Sequence, residues 1–144
     1  MANLIFEELG FPIMLMNPSM VTVRGHQVPD VNLRDLQEAV FRLLVVKPSR
    51  FTGDEVRFIR KHLRLRQADL AGVLNMANHT VVSQWESRRE KSTGMAYNTE
   101  VVLRVWMAAK TGHGEQIPEL LETRLKKLDA HHDAPLEVPL PLAM

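Results

Sequence analysis

The chain of 144 residues has no cysteine, so neither a disulfide nor a cysteine-ligated metal can staple it. It has no apolar run approaching the length of a bilayer span. Its opening, MANLIFEELG, carries acids where a signal peptide would carry basic residues. A cytoplasmic, soluble chain with no membrane partner is expected. Glycine-rich phosphate cradles are missing too, and none of the six histidines pairs with another at i, i+4 beside a glutamate, as a zinc hydrolase requires. His26 and His113 fall in loops, His62 on a basic helix, His79 at a helix start, and His131-His132 near the end. No metal, no cofactor and no enzyme activity are expected, because catalysis needs convergent groups.

Net charge is also small, only +1, which by itself disfavours a nucleic-acid partner. Its distribution argues otherwise. From Lys47 to Lys91 there are ten Lys or Arg against five acids, leaving the remainder of the chain at −4. A basic middle between acidic flanks suits a segment that touches phosphates while its neighbours serve another purpose.

That middle contains the most informative stretch, Phe51 to Glu86, FTGDEVRFIRKHLRLRQADLAGVLNMANHTVVSQWE, which reads as three short helices. Thr52 and Glu55 have the spacing of a capping box and Phe51 and Val56 that of a hydrophobic staple, which starts the first helix at Gly53. Val56, Ile59 and Leu63 share its apolar face, and Arg57, Arg60, Lys61 and Arg64 occupy the rest. The second helix, Gln67 to Leu74, turns Leu70, Val73 and Leu74 inward, with small Ala71 where another helix would cross. Asn75 tolerates the left-handed conformation a tight turn needs. Asn78 caps the third helix, expected from His79 to about Arg88, with Val81, Val82 and Trp85 packed and Thr80, Ser83, Gln84 and Ser87 outward at i, i+3, i+4 and i+7.

Short uncharged hydrogen-bonding side chains on one helix face, flanked by Arg66, Arg88, Arg89 and Lys91, suit major-groove reading: amides and hydroxyls meet base edges while cations meet phosphates. The plainer alternative is a polar face turned to water. The residues RFIRKHLRLRQADLAGVL and TVVSQWE resemble the Xre/Cro-type helix-turn-helix, and KPSRFTGDEVRFIRK resembles the DNA-binding half of MqsA-type antitoxins. The turn NMANH is one residue longer than that family's. Counting back from Trp85, the resemblance puts Gln84 and Thr80 at base-contacting positions and Gln67 at a phosphate-holding one. The full expected set is His79, Thr80, Ser83 and Gln84 for bases, with Arg66, Gln67, Asn78, Ser87, Arg88, Arg89 and Lys91 for the backbone.

Residues 1–50 read as a small strand-plus-helix unit for dimerisation or partner binding. Ile13 to Met16 and Met20 to Arg24 are expected to pair around Asn17-Pro18-Ser19, with Gln27-Val28 as a third extended piece. Asn32 caps a helix whose stripe is Leu33, Leu36, Val40 and Leu44, ended by Lys47-Pro48. GFPIMLMNPSMVTVRG and VPDVNLRDLQEAV resemble the N-terminal half of MqsA-type antitoxins, but the cysteines that hold zinc there are missing and Arg24-Gly25-His26 stands in place of the zinc loop.

Beyond the third helix, Asn98 is expected to cap a helix reaching Lys110 and apolar nearly all round, Val101, Val102, Leu103, Val105, Trp106 and Met107, hence buried. It either closes the core or meets the same helix of a second subunit. Pro118 starts a further helix with a stripe of Leu121, Leu125 and Leu128, beside Ile117 and Leu120. Residues 130–144, broken by prolines and charges, read as a flexible tail. The architecture expected is mainly α with a small N-terminal α+β unit: 1–50 as described, 51–111 a five-helix-type helix-turn-helix DNA-binding domain, and 112–129 a C-terminal helix. Two functions fit. One is a sequence-specific, autoregulatory repressor that binds a palindromic operator in double-stranded DNA as a homodimer. The other, from the MqsA resemblance, is an antitoxin of a type II toxin-antitoxin pair whose N-terminal unit neutralises a toxin protein.

Overall fold

A computed structural model of the chain describes residues 3–126, 128 and 135–142. These divide into two compact units, 1–40 with 134–144, and 41–133.

In the first unit, β2 (Ile13–Met16) is the central strand. It buries Ile13 and Leu15 completely and leaves Met14 and Met16 part-exposed, the alternation of a strand covered on one face. β1 (Leu4–Phe6) pairs with it antiparallel, Leu4 opposite Leu15 and Phe6 opposite Ile13. The other edge is taken in parallel by β5 (Leu136–Pro139), Leu15 opposite buried Val138. With both edges of β2 occupied, the expected pairing around Asn17-Pro18-Ser19 does not form. Instead β3 (Met20–Val23) pairs with β4 (His26–Pro29) in a separate two-stranded sheet. Arg24 (φ 51°) and Gly25 (φ 80°) close that hairpin as a two-residue turn with both central residues left-handed, matching strand twist. α1 (Leu33–Val45), whose last turn from Phe41 onward belongs to the second unit, starts where the Asp35 N–H donates to Asn32 Oδ1 at 3.1 Å. Leu36, Val40, Phe41 and Leu44 are buried along it, but Leu33, expected in the stripe, is exposed.

In the second unit, α2 (Gly53–His62) carries the expected capping box: the Glu55 N–H donates to Thr52 Oγ1 and the Thr52 N–H to Glu55 Oε1. Its next two N–H groups, of Gly53 and Asp54, donate to the carbonyls of Lys91 and Arg89. α3 (Gln67–Val73) and α4 (His79–Glu86) follow, joined through Asn75 in the left-handed conformation (φ 56°). α4 stops at Glu86 rather than near Arg88, because Arg89 turns left-handed (φ 55°). Leu70, Ala71, Val82 and Trp85 are buried as expected, whereas Val73 is exposed.

α5 (Tyr97–Lys110) departs most from the sequence reading. It begins behind Ala96 without a side-chain cap, exposes Val102, and buries two charges, Glu100 and Arg104, completely. The Arg104 guanidinium donates to the carbonyls of Leu44, Val45, Lys47 and Ser49 and to Glu100, and lies 4.2 Å from the Phe51 ring centre. At the end of α1 it caps the Val45 carbonyl and shares that of Leu44 with the Lys47 N–H. Glu100 also accepts from Arg50 Nε at 3.0 Å and from the Phe51 N–H. Beside it Lys47 Nζ sits 2.6 Å from the Glu55 carboxylate.

The chain continues through a 3-10 turn, Gly114–Gln116, a short α6 (Ile117–Glu119) with Pro118 in its first turn, and a π-helical turn, Leu120–Arg124. The wider π turn shifts the register of side chains, burying Leu120 and Leu125 and exposing Leu121. The Tyr97 hydroxyl donates to the Leu125 carbonyl.

The architecture is therefore α+β, not a mainly-α five-helix helix-turn-helix domain: six α-helices accompany five strands in two small sheets among the described residues. β1 is not legible in the sequence because Leu4–Phe6 is apolar throughout with no alternation, and β5 is not because Pro135, Pro139 and Pro141 surround it and argue against a strand. In particular, Leu136–Pro139, within the expected flexible tail, is a paired strand. The expected tail residues 130–134, 143 and 144 lie outside the described residues. Among the described residues no helix is long and apolar enough to cross a membrane.

Candidate nucleic-acid interface

α4 is placed by its two ends and one apolar edge. Asn78 Oδ1 accepts from the Thr80 N–H at 2.9 Å, and Val82 and Trp85 are buried against the unit. The remaining turn positions are then forced outward. His79, Thr80, Ser83, Gln84 and Ser87 are all exposed. The side chains of the first four have no hydrogen-bond partner among the described residues, so their donors and acceptors are open to a ligand. Ser87 Oγ donates to the Gln84 carbonyl at 2.6 Å and keeps its lone pairs.

The inner edge of this face is fixed by Glu86, whose side chain is 1% exposed. Arg60 is bound to it twice, Nε to Oε2 at 2.6 Å and Nη2 to Oε1 at 3.0 Å, and its Nη1 donates to the Leu65 carbonyl. Arg57 Nε and Gln67 Nε2 each reach Glu86 Oε1 at 3.3 Å. Burial would by itself raise the carboxyl, but the bonds from Arg60, Gln67 and Arg57 and the Arg60 charge hold it below its ordinary value. α2, α3 and α4 are thus tied at one point. Closeness of α2 to α4 also needs Gly53, where a Cβ would stand 2.5 Å from the Trp85 carbonyl oxygen.

The expected backbone-contacting residues are placed unequally. Arg88, Arg89 and Lys91 are exposed beyond the end of α4. Arg66 is exposed, but its guanidinium forms a two-point pair with Asp69, 3.1 and 3.0 Å, so Asp69 competes for it. Gln67 is half-buried on Glu86, and the Asn78 side-chain oxygen is already used by the cap. Sequence reasoning missed Glu86 and Arg57. The available signal was a single acid directly after the buried Trp85, on a helix with no other charge.

Family models, curated proteins and solved structures offer no match to this chain. The resemblance to Xre/Cro-type and MqsA-type proteins therefore rests on the quoted residues alone. Among the described residues no three His, Asp or Glu are grouped to hold a metal ion.

Proposed function

We propose that the chain is a sequence-specific double-stranded DNA-binding protein that acts as a repressor, inserting α4 into a major groove. One observation carries this reading: α4 presents an exposed face of uncharged side chains with no hydrogen-bond partners among the described residues, rimmed by exposed Arg66, Arg88, Arg89 and Lys91. Thr80, Ser83, Gln84 and His79 meet base edges, and the cations meet phosphates. A homodimer engages two half-sites, each presenting one α4. The reading is tested by titrating salt against binding to the DNA upstream of the protein's own coding sequence and to a random duplex of equal length. A preference for the upstream DNA that persists as salt rises is expected. Weak, equal binding to both duplexes would refute it.

A second reading, an antitoxin that neutralises a basic toxin, is favoured by the first unit. On the β3–β4 hairpin Val21 and Val23 stand exposed on one face, and a two-stranded ribbon is not stable uncovered. Residues 1–40 with 134–144 carry six acids against two arginines, which complements a basic protein. Co-purification of a small basic protein that is lost on Val23→Asp substitution would support it; full retention would count against it.

A further inference from the structure

We infer that Arg57 of α2 is a further phosphate contact, oriented by the buried Glu86 carboxylate so that it completes a two-pronged clamp with Gln67 of α3, the position already expected to hold a phosphate; the inference rests on the DNA-binding reading above. Arg60 alone already supplies donors to both oxygens of Glu86 and is only 13% exposed, so its role is internal. Arg57 is different. Its Nε touches Glu86 at 3.3 Å, while its side chain is 52% exposed and its two Nη groups have no partner among the described residues. Glu86 with Arg57 and Arg60 carries a net charge of +1, and Asp54, one turn before Arg57 on α2, is the further acid that acts on the outer guanidinium. An Arg that served only to neutralise Glu86 would be redundant there.

Position supports the same conclusion. Glu86 follows Ser83 by three residues and His79 by seven, so it lines up with the edge of the reading face rather than its back. Donors gathered on its Oε1 therefore emerge beside that face, where the DNA backbone flanks an inserted helix. Gln67 contributes its remaining amide hydrogen. Lys61, exposed one turn after Arg57, continues the cationic row. Without its arginines Glu86 would repel a phosphate; with them it holds the two prongs at a fixed separation.

The test compares wild type with Arg57→Gln, Arg57→Lys and Gln84→Ala in salt titrations on a random duplex and on the upstream DNA. Removing one phosphate contact lowers the magnitude of the log–log salt slope by about 0.9 on both duplexes, and makes binding about eightfold weaker at 0.1 M relative to 1 M salt. Arg57→Gln should do this without changing the preference between duplexes. Arg57→Lys should keep the slope yet bind more weakly, because an ammonium cannot hold Glu86 and a phosphate in the same planar fork. An unchanged slope in Arg57→Gln, with preference still lost in Gln84→Ala, would overturn the clamp and leave the reading face standing. Full affinity in Arg57→Lys would overturn the orienting role of Glu86. Absence of DNA binding by the wild type would overturn the reading itself, and the clamp with it.

Discussion

Gly53→Ala and Gly72→Ala are the same chemical change and should act in opposite directions. At Gly53 the added Cβ would lie 2.5 Å from the Trp85 oxygen, 2.6 Å from the Arg89 nitrogen and 2.8 Å from the Glu86 oxygen. All three are backbone atoms, so no side chain can swing aside; α2 must lift off α4. Overpacking of this kind costs about 1–3 kcal/mol. Lifting also weakens the bonds from the Gly53 N–H to Lys91 and the Asp54 N–H to Arg89, 3.2 and 2.9 Å, each worth about 1 kcal/mol. Against this stands the gain of about 0.5–1 kcal/mol from replacing a helical glycine. A net loss of roughly 2–4 kcal/mol follows, a large share of the stability of a domain this size. At Gly72, an exposed position of α3, no atom of the described residues lies within 4 Å of an added Cβ, so only the gain remains. Urea unfolding followed by circular dichroism should show a midpoint lower by about 1–2 M for Gly53→Ala and higher by a few tenths for Gly72→Ala, at unchanged slope. A Gly53→Ala protein as stable as wild type would refute the close approach of α2 to α4, and with it the placement of the reading helix.

Arg104→Met should lower unfolding free energy by about 3–5 kcal/mol, since Glu100 and four carbonyls lose a buried donor; a loss below about 1 kcal/mol in urea unfolding would contradict that role. Glu86 is held below the ordinary glutamate value of 4.5 in the folded chain, so its contribution is complete above that pH and disappears as pH falls through the lower folded value. Thermal melts of Glu86→Gln should accordingly show a shallower acid limb below pH 4.5 than wild type, and an identical limb would argue against the Arg60–Glu86 linkage. Gln84→Ala, on an exposed position, should leave stability within about 0.5 kcal/mol while weakening binding to the preferred DNA by about 1–3 kcal/mol; unchanged affinity in a filter or anisotropy assay would displace Gln84 from the reading face.

What the sequence determined by itself is what residues a few positions apart decide between them. Thr52 with Glu55, Asn78 with the Thr80 N–H, Asn32 with the Asp35 N–H, and the left-handed Asn75 are local arrangements, and each stands where its spacing placed it. The outward set on α4 follows from the same periodicity once Val82 and Trp85 face inward. Tertiary structure alone decided the rest, because the partners are remote in sequence. Arg104 reads as a polar interruption on an apolar helix until it meets carbonyls as far as 60 residues away. Arg57 and Glu86, 29 residues apart, become one site only when α2 and α4 touch at a residue with no side chain. β1 and β5 become strands only because β2 offers both edges: Leu4–Phe6 is apolar throughout and Leu136–Pro139 lies among prolines, so neither announces a pairing that depends on a distant strand.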